Sequence, residues 1–521
     1  MPHHRDEVVL AIDAGTESLR AAVIDASGTV RGIGRAPIRT SYPAPGRAEQ
    51  DPAEWEIALG VAAWAAIESS GFRAGDISGV CADGTTSTVV CLDRAGKPLR
   101  KAILWSDIRA TEEAALIGAT KDPVLVRAGG GNPSAEWFPC KALWIKRREP
   151  ETWDRAATVF CFTDWLAWKL SGQLTLNLNT ATMRGFYDSR NGGAPRGLYE
   201  AAGIGGLAER IPFRVVRPGE AIGGISAEAS ALMGLPQGIP VAAGGGDAFV
   251  GVIGLNALEP GQVAMITGSS HVITAHVRAP TQARGLFGSF PDALYTGSDL
   301  LEGGLASSGS VLRWFTEGFV GEKVTSAAAA SGKKTLAYLD ELAERIPPGS
   351  EGLLVQEHWQ GSRCPWVDSA SRGAIRGLTL LHRPEHLYRA IMEGVAFGAT
   401  LILDRMEAAG VPVEELRVCG GPSRSALWMQ IHADVTGKPI ALPREPESVL
   451  LGSAMLAALG AGLYSSLHEA AAAMSGTASY ILPDMGKHAI YKKLLGRYIA
   501  TYEALGPMAR AEAAEALEDT L

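Results

Sequence analysis

The chain has 521 residues, 46% of them hydrophobic and 20% charged, with a formal net charge of -8 at pH 7. That length exceeds what one core usually serves, so two or more domains are expected, with the composition of a globular protein in water. The acidic balance offers no basic stripe for nucleic acid, and no apolar run reaches membrane-spanning length.

The first element, VVLAIDAGTESLRAAVID (Val8–Asp25), reads as a strand, a tight polar turn and a second strand, entered directly from the N-terminus with no signal-peptide hydrophobic region. Gly15 is read there as a residue that admits φ values others avoid. Thr16 and Ser18 offer hydroxyls, Arg20 follows, and successive turn N–H groups make an anion-binding concavity. Asp13, ending the first strand, is placed to hold a hydrated Mg²⁺ through oxygen. The set suggests a polyphosphate site, although Asp and Gly are also ordinary hairpin-turn residues.

A Pro/Gly-rich connection leads to a helix expected over 53–69. ISGVCADGTTSTVV (77–90) reads as another strand–turn–strand, and ILWSDIRATEEAALI as a strand running into a helix with Asp107 near its start. PSAEWFPCKALWIKR leads into an apolar-striped helix, and TDWLAWKLSG forms a second, closed by Gly172. In GIPVAAGGGDAFVGVIG a buried strand meets three glycines and Asp247 before a helix, a junction that brings backbone close to a ligand. On spacing alone Asp247 is equally a general base or a helix N-cap.

The opening pattern then recurs in QVAMITGSSHVITAHV (262–277), and two such hairpins about 250 residues apart suggest a duplicated architecture. LEGGLASSGSVLRWF opens a helix at about Ser308, and another helix is expected over 390–409. LRVC runs through GGPSRS into a helix, SVLLGSAMLAALGAG is a small-residue helix suited to close packing, and ARAEAAEALEDTL closes the chain as an Ala/Glu helix without chemistry. Six cysteines, at 81, 91, 140, 161, 364 and 419, form no CxxC pair and read as reduced thiols of a cytoplasmic enzyme. There is no GxxxxGK[ST] or HExxH, and the glycines at 203–206 lack the context of a dinucleotide fingerprint.

Together these stretches resemble the FGGY carbohydrate kinases of the sugar kinase/Hsp70/actin superfamily. DAGTESLRAAVID looks like their first phosphate loop, GGGD like their catalytic-acid segment and GGPSRSALWMQIHADVTGKPI like their adenosine loop. GAIRGLTLLHRPEHLYRAIMEG matches their second signature, whereas FPCKALWIKR fits the first only approximately, through Lys141 and Trp144. The resemblance implies an α/β fold of two actin-like (ribonuclease H-like) domains around a central cleft. Residues 6–255 would bind sugar, 256–482 would bind nucleotide, and 483–521 would form a helical tail.

It further implies ATP and Mg²⁺ as cofactors and a sugar or polyol as the small-molecule partner, with neither nucleic acid nor membrane; a homodimer is compatible with the sequence. Asp247 would be the catalytic base, with Asp13 and Asp247 on Mg²⁺ through water. Asp13, Gly15, Thr16, Ser18, Arg20, Thr267, Gly268 and Gly309 would face the phosphates, Gly420 and Gly421 would press against adenosine, and Ser425 would bond the base. Thr85, Thr86, Trp105, Asp107 and Glu136 or Trp137 would meet the sugar. WQGSRCPWVDSASRG looks more like the corresponding stretch in kinases of ribulose and related pentuloses or pentitols, a likeness that implies a ribulose-like substrate, with xylulose, erythritol or another polyol as alternatives. A non-catalytic sugar sensor and an actin- or Hsp70-like ATPase are rival readings. Trp105-Ser106-Asp107 speaks against the ATPase, and the retained Asp13, Thr16, Asp247 and Gly420–Gly421 against the sensor.

Overall fold

The computed structural model describes residues 7–518 apart from 130 and 132. Its first half is built on a six-stranded sheet, in the spatial order Ala221–Gly224, Pro240–Ala242, Ile77–Gly84, Val8–Ala14, Ser18–Asp25, Val30–Pro37. The first three strands in chain order form an antiparallel meander, and Ile77–Gly84 and Pro240–Ala242 then add in parallel on the other side of Val8–Ala14. Val8–Ala14 is buried along its whole length, which is why VVLAIDA is nearly continuously apolar rather than alternating. The helix Pro52–Ser70 covers this sheet; Asp51 caps it by accepting from the Ala53 N–H, Pro52 opens it, and Gly71 ends it in the left-handed region.

The second half repeats the plan. Its seven-stranded sheet runs Phe287–Pro291, Asp299–Leu305, His271–Val277, Gly261–Thr267, Val413–Gly420, Ile440–Pro443, Thr477–Ile481. A hairpin with a third antiparallel strand again lies on one side of the first strand, and two parallel strands lie on the other. The duplication expected from the two hairpins is therefore a duplication of topology, and the fold is the two-domain actin-like one.

Two small-residue helices join the halves. Asp247–Gly254 and Ser448–Gly460 approach so closely that a Cβ on Gly254 would lie 1.8 Å from the Ser448 carbonyl oxygen, and one on Gly452 would lie 2.1 Å from that of Val250. The 34-residue helix Met485–Glu518 is fastened to the second half. Tyr491 donates to Glu393 and Tyr498 to Glu357, both bonds buried, and Arg510 pairs with Asp368.

Three local readings gain detail. The strand–turn–strand of 77–90 forms, but its two strands do not pair: Val89–Leu92 leaves for a four-stranded sheet with Thr158–Cys161 and Ala102–Ile103, turned by a buried Thr85–Thr88 hydroxyl contact and a left-handed Ser87. The helix after Asp107 starts only at Thr111, and the long helix placed at 390–409 starts at Pro384, nearly two turns earlier. All six cysteines are free and buried.

Candidate active site

The site is organised on a row across the first sheet. Arg20, Asp13 and Asp83 are register neighbours on three adjacent strands. Arg20 pairs with Asp13, and with its other terminal nitrogen reaches Glu447 of the second half at 2.5 Å. Asp83 is fully buried, and one of its oxygens accepts from the Ser453 hydroxyl at 2.5 Å. Burial and, after it, the negative charge of Asp13 hold the Asp83 carboxyl well above the ordinary carboxylate range. Asp13 is raised as well, first by burial, with Arg20 opposing.

Asp247 stands beside this row. The run Gly244–Gly246 lies directly on strand Ile77–Gly84, where a Cβ on Gly244 would come within 2.0 Å of the Ala82 carbonyl oxygen, and Gly84 and Gly246 form a parallel bridge. Gly246 is the cap of the following helix and Asp247 its first residue, so the N-cap alternative for Asp247 does not hold. Its half-buried carboxylate accepts from the Ala248 N–H at 2.7 Å, and burial, then the Asp13 charge, lifts it to about 7. Thr86 packs against Gly246.

The Trp105 indole N–H donates to Thr16 Oγ1 at 2.9 Å, so the first turn and the aromatic expected at the sugar are one unit. Its backbone N–H bonds Thr88, which also contacts Thr85. Buried Lys141 holds this corner through the carbonyls of Ser87, Leu104 and Trp105, at 3.1, 2.5 and 2.9 Å. Glu136, half-buried, accepts from Arg363 of the second half at 3.3 Å.

Four expectations are corrected here. Asp107 is fully buried and both its oxygens are taken, by Arg109 and the Ala48 N–H, which leaves it a scaffold acid rather than a sugar contact. Trp137 is 4% exposed and packs on Phe186 and Phe287, which makes it core. Gly15 takes no left-handed φ; its N–H closes the turn onto the Ser18 carbonyl. Ser425 is a helix cap, its hydroxyl accepting from the Trp428 N–H at 3.1 Å, which gives it a role in the local fold that the base contact did not foresee.

In the second half, Thr267 and Gly420 are register partners, and Thr267 donates its hydroxyl to the Cys419 carbonyl at 2.6 Å. Gly420 has φ +104°, and a Cβ there would lie 1.7 Å from the Thr267 carbonyl oxygen, so only glycine fits. A Cβ on Gly309 would lie 2.4 Å from the Gly268 carbonyl oxygen. A Cβ on Gly421, by contrast, would meet nothing within 4 Å; its clash would have to come from a ligand. Thr267, Gly268, Gly309, Gly420 and Gly421 thus gather into one small-residue cradle.

The sequence reading missed Asp83, Arg184, Glu302 and Glu447. Arg184 forks onto buried Glu302 at 2.7 and 2.8 Å and lowers the Asp247 carboxyl by its charge. Asp83, an acid inside the apolar run GVCADG, was the one legible signal. Among the described residues no group of three or more His, Cys, Asp or Glu forms a ready metal cage. Asp13 and Asp247 suit a cation that keeps most of its waters and takes further oxygens from phosphate.

An actin-like pair of domains with an acid near neutrality beside a carboxylate–arginine row and a glycine cradle defines a phosphoryl-transfer enzyme of the sugar kinase type. The chain belongs to the FGGY family of carbohydrate kinases: residues 8–254 match the family's N-terminal domain and 263–461 its C-terminal domain. It is 31% identical to a ribulokinase of Geobacillus thermodenitrificans, over 96% of this chain and 94% of that one, and 31% identical to a human FGGY carbohydrate kinase domain-containing protein, over 93% and 94%. Among solved structures it resembles a xylulose kinase from Rhodospirillum rubrum, with a TM-score of 0.83, 28% identity and coverage of 97% of this chain and 100% of that one. No helix among the described residues is long and apolar enough to cross a membrane.

Proposed function

We propose that this chain transfers the γ-phosphoryl group of ATP to a hydroxyl of a pentulose, ribulose in the first instance, in the cytoplasm. The reading is supported above all by Asp247, a carboxylate near neutrality in its affinity for protons, held on a glycine junction beside Asp13 and Arg20. The first half (6–255, its first residue outside the described ones) holds the sugar and the second (256–482) the nucleotide, with 483–521 as a tail. Asp247 takes the proton of the attacking hydroxyl. Thr86, Trp105 and Glu136 orient the sugar; a tryptophan face covers C–H groups while the polar residues bind hydroxyls. Thr16, Ser18, Arg20 and the turn at Gly268 meet the phosphates, and Gly309, Gly420 and Gly421 admit the nucleotide.

Asp13 and Asp247 would hold Mg²⁺ through water, and the ion supplies neutralisation of phosphate charge. Closure of the two halves excludes water and limits wasted ATP. The resemblance of WQGSRCPWVDSASRG to ribulose kinases and the ribulokinase relative favour ribulose. The solved xylulose kinase keeps xylulose as the second reading. ADP release with Mg·ATP across D- and L-pentuloses, pentitols, tetritols and glycerol tests both. One sugar gives strong turnover, and Asp247→Asn lowers its kcat by roughly 10²–10⁴-fold. Near wild-type turnover in that variant refutes the role of Asp247.

A further inference from the structure

Glu447 directly precedes helix Ser448–Gly460 of the second half, yet its carboxylate ends on the first half. One oxygen lies 2.5 Å from Arg20 Nη1; the other lies 3.5 Å from the more exposed Arg35. Through Arg20 it connects to Asp13, the cross-strand partner of Arg20. Farther along the same helix, Ser453 bonds Asp83, the neighbour of Asp13 on its other side. One helix of the second half thus holds both ends of the Arg20–Asp13–Asp83 row. Its own placement is fixed by the backbone contacts at Gly254 and Gly452. Glu447 is accordingly no loose surface acid, and its side chain is 20% exposed.

We propose that Glu447 is a positioning residue for phosphoryl transfer, acting through Arg20. A guanidinium is planar and carries five N–H donors. With one end on Asp13 and the other on Glu447, its plane is set, and its remaining donors stay available on a side chain that is 27% exposed. Because Glu447 and Arg20 come from different halves, the guanidinium is correctly set only when the halves sit in this relation. The transferred group then meets a fixed cation, and the charge it develops is stabilised without further rearrangement. This rests on the reading of Arg20 as a phosphate contact.

The test uses the full chain and its best sugar, with Glu447→Gln, Glu447→Asp, Arg20→Met and the double variant Arg20→Met/Glu447→Gln. Glu447→Gln is expected to lower kcat about 10- to 100-fold, the scale of a misplacement near 1 Å. Sugar affinity, measured calorimetrically without nucleotide, stays within about twofold, the expected pattern for a group that acts on the transition state. Glu447→Asp, which keeps the charge on a shorter stem, recovers part of the loss. The double variant falls no lower than Arg20→Met alone, because Glu447 acts only through that arginine. A wild-type kcat in both Glu447 variants overturns the proposal, as does a double variant whose loss is the product of the two single losses. Those results leave the kinase reading intact if Arg20→Met is impaired, whereas a wild-type rate in Arg20→Met removes the phosphate role of Arg20 itself.

Discussion

Replacing Lys141 by Met keeps the stem and removes the ammonium. Lys141 is fully buried on helix Phe138–Arg148, and burial pulls its pKa down to about 7. Its three carbonyl partners match the three donors of an ammonium. Two of these carbonyls, Leu104 and Trp105, flank the backbone that presents the indole to Thr16. A buried carbonyl stripped of its donor costs about 1–3 kcal/mol, so three cost about 3–9 kcal/mol. Relief of a buried cation returns several kcal/mol of this. The net expectation is a loss of about 3 kcal/mol, or about 6–12 °C in Tm for a unit of some 250 residues. Scanning calorimetry measures it, beside steady-state kinetics with each substrate varied. The KM for sugar should rise at least tenfold while that for ATP stays within about twofold. An unchanged Tm with an unchanged sugar KM refutes the reasoning. Equal rises in both KM values refute the local part of it, since they would place the damage in the fold at large.

Three further substitutions probe other parts of the site. Gly421→Ala adds a methyl to open space, so Tm should hold within about 1 °C while the KM for ATP rises tenfold or more; an unchanged KM removes Gly421 from the cradle. Gly452→Ala drives a Cβ to 2.1 Å from the Val250 carbonyl oxygen and must part the two joining helices, with an expected loss of about 2–4 kcal/mol and most of the activity, read by urea melts and turnover. His271 is buried with both ring nitrogens unbonded beside His432, and burial lowers the two to about 3 and 4. Unfolded histidine takes up protons near 6.5, so the unfolded state binds more protons below that pH and stability falls on acidification. His271→Phe removes one such group, and its advantage over the wild type should grow by up to about 1.4 kcal/mol for each pH unit below 6.5. Parallel stability curves for the two proteins would refute this.

Much of the candidate site was legible in short stretches. Asp13, Thr16, Arg20, Asp247 and the Gly420–Gly421 pair lie within local strand–turn–strand or strand–turn–helix patterns, whose glycines and acids are dictated by backbone geometry a few residues away. The duplicated hairpins announced the two-fold plan for the same reason, since a hairpin is fixed by its own turn and alternation. Solvent access and saturation of hydrogen bonds could not be read this way. Asp107 looks like any sugar-binding acid until Arg109 and Ala48 are seen to occupy it, and Ser425 like a base contact until its helix claims it.

The sequence by itself determined the class of fold, the two strand–turn–strand hairpins and the acid at the glycine junction, because each depends on contacts within about one turn of chain. The tertiary structure alone decided how the two halves meet. Arg20 and Glu447 are 427 residues apart, Asp83 and Ser453 370, and Arg184 and Glu302 118. Such pairs leave no local pattern, because the energy that selects them is the pairing or neutralisation of buried charge, which exists only once burial has occurred.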